Sequence, residues 1–155
     1  LINNSEKNML PTLKSRCITF KIHFSFDETV NICNQILNQN ILNELNHDLI
    51  NYYCTPGEII KLVQFAEEKQ INLKDHDVSS VISLIIENTY YKKNIFIKNL
   101  LINFIELFLL KRYKTSNNKN FLLNFYQSFI QKINNTEKFN LDEESLFLEF
   151  KSKIL

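Results

Sequence analysis

Residues 10–17, with the sequence LPTLKSRC, are followed directly by the β-rich residues 18–22, ITFKI. Pro11 is pre-set for a first helical position, so the first stretch predicts one short helical turn. In the second stretch apolar and polar side chains alternate, which is typical of a half-buried strand. The side chains predicted to pack inward from the turn are Met9, Leu10 and Leu13. The sequence therefore predicts a helix-to-strand junction at Arg16.

Arg16 is one of only two arginines among 18 basic Lys and Arg residues. A guanidinium is planar, always charged and carries five donors in a fixed fork, whereas a lysine supplies a point charge. Most arginines form ordinary surface ion pairs. The placement of Arg16 between Ser15 and Cys17 makes it a candidate for a role that needs the fork.

The composition indicates a helical globular chain of one or two domains. The 155 residues are 45% hydrophobic and include 13 Phe, which argues against disorder. One Gly and two Pro leave few tight turns. Long helices joined by short polar loops suit these numbers.

The formal net charge of +1 predicts no strong general attraction to nucleic acid. Residues 90–120 are locally basic, because seven Lys and Arg side chains stand there against Glu106 alone. A charge excess of this kind is usually a solvated face. Aromatic pairs near lysines are candidates for base stacking, but their helical spacing favours packing. These pairs are Tyr52-Tyr53, Tyr90-Tyr91 and Phe125-Tyr126.

Cysteine and histidine spacing indicates neither a disulfide framework nor a metal site. The three cysteines are odd in number and never form a C-x-x-C pair, which favours a reducing cytoplasmic setting. They are Cys17, Cys33 and Cys54. The scattered histidines, each expected at the surface, are His23, His47 and His76.

Three helices are predicted within residues 25–71. Ser25 and Glu28 form a capping-box pattern that opens a helix ending near Leu37. A shorter helix is predicted over residues 46–53. Thr55, Pro56 and Glu58 then mark the clearest helix start in the chain. The residues predicted to face inward are Val30, Cys33, Ile36, Leu37, Leu49, Ile50, Tyr53, Ile59, Ile60, Val63 and Ala66.

Longer helices are predicted from residue 77 onward, over residues 77–91, 94–113 and 119–133, with a last helix capped near residues 140–143. The helix at 94–113 is apolar on most of its circumference. Polar residues interrupt it, so it is too polar for a membrane span and suits a helix buried on nearly all sides. These residues are Lys98, Asn99, Asn103 and Glu106. The break before the last helix is predicted at 134–136. The remaining residues predicted to face inward are Val78, Val81, Ile82, Leu84, Ile85, Ile86, Phe121, Leu122, Phe125, Phe129, Ile133, Leu146, Phe147, Phe150 and Ile154.

Residues 1–17, above all Ile2-Asn3-Asn4 and LPTLKSRC, resemble the end of the ATPase module in clamp-loader subunits of the AAA+ superfamily. The resemblance is strongest to the delta-prime type found with bacterial DNA polymerase III. It implies a mainly α fold in three parts. Residues 1–24 would be the end of a truncated ATPase core with one short strand, residues 25–71 a three-helix lid, and residues 72–155 a helical collar that joins subunits. On this interpretation the chain is a fragment of a longer protein.

The same resemblance implies the site residues. Arg16 would be an arginine finger that acts in trans on nucleotide bound by a neighbouring subunit, with Ser15 supporting it. Asn3 would stand at the sensor-1 position. Hydrolysing relatives typically begin the third lid helix with Gly-Ser-x-Arg, and Gly57 stands in place of that sensor-2 arginine. A glycine has no side chain to contact phosphate.

What the resemblance implies for function is a non-hydrolysing subunit that helps load the sliding clamp onto primed DNA. No cofactor is expected on the chain itself, since ATP and Mg²⁺ would sit in the neighbouring subunit, and no metal site is expected. The chain would not be an enzyme on its own. Its partners would be gamma/tau ATPase and delta subunits, the sliding clamp and primer-template DNA, in the cytoplasm and without a membrane.

Two alternatives remain open at this point. The chain could be a free-standing helical module that binds protein or nucleic acid through the basic 90–120 stretch. It could also be a hydrolysing clamp-loader subunit, which Gly57 disfavours. Residues upstream of Leu1 would separate these alternatives, because an intact phosphate loop has the pattern G-x-x-x-x-G-K-[ST].

Overall fold

The computed structural model describes residues 10, 12, 15, 16, 18, 20, 22–50, 54–139 and 141–155. Within these residues the fold is mainly helical and contains no β-strand. A 3₁₀ turn at His47–Leu49 lies between the second and third helices. The helices are α1 (Phe26–Leu37), α2 (Ile41–Glu44), α3 (Pro56–Lys69), α4 (Val78–Glu87), α5 (Tyr90–Lys93), α6 (Ile95–Thr115), α7 (Lys119–Phe139) and α8 (Glu144–Ile154).

Helices α1 and α3 begin where their capping boxes predict. The Glu28 amide donates to Ser25 Oγ at 3.2 Å, and the Ser25 amide donates to the Glu28 carboxylate at 2.7 Å. Thr55 and Glu58 exchange the equivalent bonds at 3.3 and 2.8 Å. Both helix starts are thus confirmed, since the caps satisfy backbone donors that a first turn leaves free.

The inward face of α1 is confirmed at Val30 and Cys33, which are buried, but Ile36 is 58% exposed. Thr29 is buried on that face instead. The predicted helix over 46–53 is wrong in its described part. Asn46 accepts a bond from the Asp48 amide and starts a 3₁₀ turn, and Ile50 is already extended. Leu49 is buried as predicted, and Tyr53 lies outside the described residues.

The helix predicted over 77–91 is interrupted. Asp77 caps α4 through the Ser80 amide at 2.8 Å, but α4 ends at Glu87 and Thr89 adopts a left-handed backbone with φ of 52°. A short α5 then turns Tyr91 into the core, where its ring meets Phe147 edge-on at 4.8 Å between centroids. The interruption reorients the chain between α4 and α6.

Helix α6 lies at the centre of the C-terminal half and contacts α4, α5 and α7. Its residues between Ile97 and Leu109 are largely buried, as the apolar circumference predicts. Part of its polar stripe bonds to other elements. Lys98 pairs with Glu143 at 2.5 Å, and Asn103 donates to Glu58 at 3.3 Å. In the described part of the chain no helix is long and apolar enough to cross a membrane.

Helix α7 continues through the predicted break at 134–136 and ends at Phe139. The break prediction is wrong because Thr136 is buried and its hydroxyl donates to the Ile133 carbonyl at 2.7 Å, which satisfies the side chain inside the helix. Phe129 and Ile133 are buried as predicted, whereas Phe121 is about half exposed.

Helix α8 closes the core from the far end of the sequence. The residues that it buries are the four that the sequence predicts, namely Leu146, Phe147, Phe150 and Ile154. The Phe150 ring lies 5.7 to 6.2 Å from the rings of Phe108, Phe125 and Phe129. The predicted cap region is confirmed, because α8 begins at Glu144, directly after residues 140–143, and the Asp142 carboxylate accepts a bond from the Glu144 amide at 3.1 Å.

The predicted strand at 18–22 is wrong for its described residues. Ile18, Phe20 and Ile22 lie outside any regular element and are 78 to 83% exposed. A strand is stable only when its backbone pairs with another, and no described segment pairs with this one. Leu10 is exposed too, while Met9 and Leu13 lie outside the described residues.

One cluster of buried residues runs from Cys33 in α1 to Ile154 in α8. It crosses residue 72, where the lid was predicted to meet the collar. Contacts across that point include the Phe65 and Tyr90 rings at 5.4 Å and the Lys111–Asp48 ion pair at 2.8 Å. The boundary between lid and collar stays a prediction.

Truncating the core side of α8 should unfold the chain far more readily than the same change at its surface. Phe147 has no exposed area, so Phe147→Ala should lower the free energy of unfolding by about 3–5 kcal/mol. The matched control is Phe121→Ala, at a half-exposed position, with an expected loss of less than about 1 kcal/mol. Urea denaturation followed by circular dichroism measures both, and equal losses would contradict the packing described here.

Glu149 on α8 should make stability depend on pH. Hydrogen bonds from Lys132 at 2.5 Å and Lys153 at 2.7 Å lower the pKa of this carboxyl to about 2. The folded pKa is below the unfolded value of about 4.3, so the stabilisation is present above that value and is lost as pH falls toward 2.

The test is the difference in unfolding free energy between the wild type and Glu149→Gln. It should be below about 1 kcal/mol at pH 6, because solvent screens the pair, and should vanish near pH 2. Lys132→Met removes the larger cause and should reduce the same pH-dependent difference. A difference that stays constant from pH 6 to pH 2 would contradict the assignment.

Candidate functional site

The turn that carries Arg16 is exposed. Ser15 and Arg16 both lie at the surface, and the Ser15 hydroxyl donates to the Thr12 carbonyl at 3.1 Å. That bond joins residues three positions apart and stabilises the turn that carries Arg16. Among the residues that the structure describes, no carboxylate pairs with Arg16. Asn3, the predicted sensor-1 residue, and Cys17 lie outside the described residues.

Arg112, the other arginine, has a clear structural role. Its Nη1 donates to the Ile154 carbonyl at 2.7 Å, at the end of α8, and its guanidinium lies 5.5 Å from the Phe108 ring centre. A cation at a helix C-terminus satisfies carbonyls that lack a helical partner. One arginine thus secures the fold, while Arg16 is left facing solvent.

Gly57 occupies the second position of α3, after the Thr55 cap and Pro56. It is exposed, and a Cβ built on its backbone would meet nothing within 4 Å. Its φ is not positive, since no described glycine has a left-handed backbone. Neither packing nor backbone geometry therefore requires glycine here, and the position would accept a side chain.

Cys33 is an ordinary core residue, as its position in α1 predicts. It is fully buried, and its thiol contacts the Pro56 carbonyl at 3.6 Å. Burial raises the pKa of this thiol, so it stays protonated and unreactive. In the described part of the chain no three His, Cys, Asp or Glu side chains come together as a metal site would require.

The basic stretch 90–120 is partly neutralised by internal contacts. Lys92 pairs with Glu144 at 2.5 Å, and Lys98 and Lys111 pair with Glu143 and Asp48. The carboxylate beside Lys92 raises the pKa of that ammonium. Cations that already hold carboxylates release little counterion energy on meeting phosphates. These ion pairs therefore argue against residues 90–120 as a nucleic-acid-binding face.

The aromatic pairs within the described residues pack against other rings or polar groups. Tyr90 meets Phe65, Tyr91 meets Phe147, and the Tyr126 hydroxyl donates to Glu106 at 3.3 Å. Burial of Tyr91 and Tyr126 raises the pKa of both phenols. This favours packing over base stacking for these residues. Tyr52 and Tyr53 lie outside the described residues.

A groove of about 920 Å³ runs along α6, between α7 and the start of α3. Sequence patterns did not reveal it. Asn103 and Glu106 were predicted only to interrupt an apolar helix, yet both line this groove together with Glu58. The sequence does show polar residues on one face of an otherwise apolar helix. The groove could not be predicted from them, because the elements that form its other sides are distant in sequence.

No protein-family model, curated protein or solved structure matches this chain. The resemblance to clamp-loader subunits therefore depends on residues 1–17 and 54–58 alone.

Gly57→Ala should stabilise the protein by up to about 1 kcal/mol, because alanine loses less backbone entropy and its methyl group meets open space. Gly57→Arg should also fold, because the position is exposed and open. Thermal and urea unfolding of both variants measure the effect. A loss of stability in Gly57→Ala would mean that the glycine backbone is needed at this helix start.

Proposed function

We propose that this chain is part of a non-hydrolysing clamp-loader subunit of the delta-prime type, which helps to load the sliding clamp onto primed DNA. The observation that carries the proposal is Arg16, placed between Ser15 and Cys17 on an exposed turn. An arginine finger must reach another subunit. A guanidinium that faces solvent, and that pairs with no carboxylate of the described residues, meets that requirement.

Arg16 would act in trans. A bidentate cation beside the γ-phosphate of ATP in the neighbouring subunit stabilises the charge that spreads over the transferred phosphoryl oxygens. Such fingers increase rates by roughly 10³ to 10⁵. Ser15 would position the finger through its bond to the Thr12 carbonyl. ATP and Mg²⁺ would be bound by the partner, so catalysis would lie there.

Gly57 supports the non-hydrolysing assignment. It stands at an exposed helix start with room for a side chain, so the missing sensor-2 arginine has no packing cause within this chain. A subunit that only donates a finger has no use for that arginine. This observation also disfavours a hydrolysing subunit.

The remaining parts of the proposal follow from the order of the elements. Helices α1 to α3 would form the lid, and α4 to α8 the collar that joins gamma/tau ATPase and delta subunits into a ring. Primer-template DNA and the sliding clamp would be reached through that ring, in the cytoplasm. The exposed side chains of Ile18, Phe20 and Ile22 would be available to pack against the ATPase core.

The second candidate is a free-standing helical module that binds protein. The observation that favours it is the groove along α6, a concave surface of about 920 Å³ lined mostly by apolar side chains. The nucleic-acid version of this candidate is weaker, because Lys92, Lys98 and Lys111 are occupied by carboxylates.

The decisive experiment compares Arg16→Ala and Arg16→Lys in the full-length protein. Both should fold and assemble normally, because an exposed arginine contributes little to stability. Clamp- and DNA-stimulated ATP hydrolysis by the reconstituted complex should fall by roughly 10³-fold or more in Arg16→Ala. Arg16→Lys should also be poor, since a point charge cannot reproduce the fork.

Lys74→Ala is the matched control, because it removes an exposed cation from the loop between α3 and α4, which the proposal does not use in catalysis and which does not line the groove. Ring assembly is checked separately by size exclusion. Unchanged hydrolysis in both Arg16 variants would leave Arg16 as an ordinary surface residue. Loss of the ring in Arg16→Ala would make it an interface anchor.

A further inference from the structure

The groove along α6 has the length of a short helix. Its lining on α6 extends from Leu100 to Lys114, a stretch of 15 residues that is roughly 21 Å long. Leu122, Leu123 and Tyr126 of α7 also line it, as does Glu58 at the start of α3, which accepts a bond from Asn103 of α6. A volume of about 920 Å³ is large enough for the apolar face of such a helix.

The walls of the groove are apolar and open to solvent. Leu110 is 50% exposed, Leu123 45% and Tyr113 39%, and all three line the same groove as the buried Phe104 and Leu122. Single exposed leucines are common, but a continuous set around a concave surface is typical of a protein-binding site.

Four charged side chains line the groove, and two of them, Glu106 and Lys114, are candidates to contact a bound partner. Glu58 already receives bonds from Thr55 and Asn103, and Lys111 already pairs with Asp48. Within the described part of the chain, Glu106 receives a hydrogen bond from the Tyr126 hydroxyl alone, at 3.3 Å, and Lys114 is exposed. These two are eight residues apart on α6, or about 12 Å, with the acid toward the start of α3 and the cation near the end of α6.

We propose that this groove binds an amphipathic helix of a partner protein, antiparallel to α6. Its leucine-rich face would contact Leu110 and Leu123. Carboxylates in its first turn would meet Lys114, and a basic residue in its last turn would meet Glu106. An acidic first turn and a basic last turn also suit the dipole of the bound helix, so the same charges favour its folding and its docking. This proposal deepens the second candidate function above by naming the occupant of the groove, and it does not depend on the arginine finger.

Fluorescence anisotropy with two labelled peptides tests the proposal. The first has about 14 residues with leucines at helical spacing, glutamates in the first turn and lysines in the last. The second has the same leucines with the charged turns exchanged. The groove should bind the first peptide about tenfold more tightly than the second.

The exchanged peptide is intrinsically less helical, so the decisive quantity is how a change in the protein alters the ratio of the two affinities. Lys114→Glu should reduce the preference for the first peptide by about three- to tenfold. Leu110→Asp should weaken both peptides by about tenfold, because it places a charge on the apolar wall. Leu148→Asp is the matched control, since Leu148 is 51% exposed on α8 and does not line this groove.

Circular dichroism shows that each variant is folded before binding is compared. Failure of both peptides to bind would overturn the proposal, as would a preference that Lys114→Glu leaves unchanged. If sedimentation instead finds a dimer that Leu110→Asp dissociates, the occupant is a second copy of this chain and the proposal is wrong. Arg16 lies outside the groove lining, so these outcomes do not bear on the arginine finger.

Discussion

The fold depends on covering helix α6 from several sides at once. Because α6 carries apolar side chains around most of its circumference, one neighbouring helix would leave much of that surface in water. The chain meets this demand with α4 and α5 on one side and α7 on another, while α8 closes the core through Phe147 and Phe150. The helices after residue 77 are therefore placed so that together they cover the apolar surface of α6.

The polar residues of α6 are compatible with this packing because its half-buried charged side chains find partners. Lys98 is bonded to Glu143, and Glu106 receives the Tyr126 hydroxyl. An unpaired charge in that setting would cost several times what an exposed one costs. The face of α6 that carries Asn103 and Glu106 is less covered than its other faces, and it borders the groove.

Sequence patterns predicted the elements whose causes are local. The starts of α1, α3 and α4 are determined by a side chain and amides within three residues, so Ser25, Thr55 and Asp77 could be recognised as caps. The continuation of α7 through Thr136 could not be predicted in this way. Asparagines and a threonine in sequence are typical of a helix break, and here it is the burial of Thr136 that lets the helix continue. The strand at 18–22 had the right alternation, but alternation does not supply a pairing partner. The exposure of Arg16 agrees with its motif, whereas the groove required residues 58, 106 and 126 to be brought together by folding.

The position of α8 has a consequence for synthesis of the chain. Phe147 and Phe150 complete the aromatic cluster with residues from α5, α6 and α7, and they are made after all of these. While α8 is still within the ribosome, α6 is already outside with an open apolar surface, and such surfaces attract chaperones and other chains. The C-terminal helices cannot reach their final packing until α8 has left the ribosome, so their assembly waits for α8.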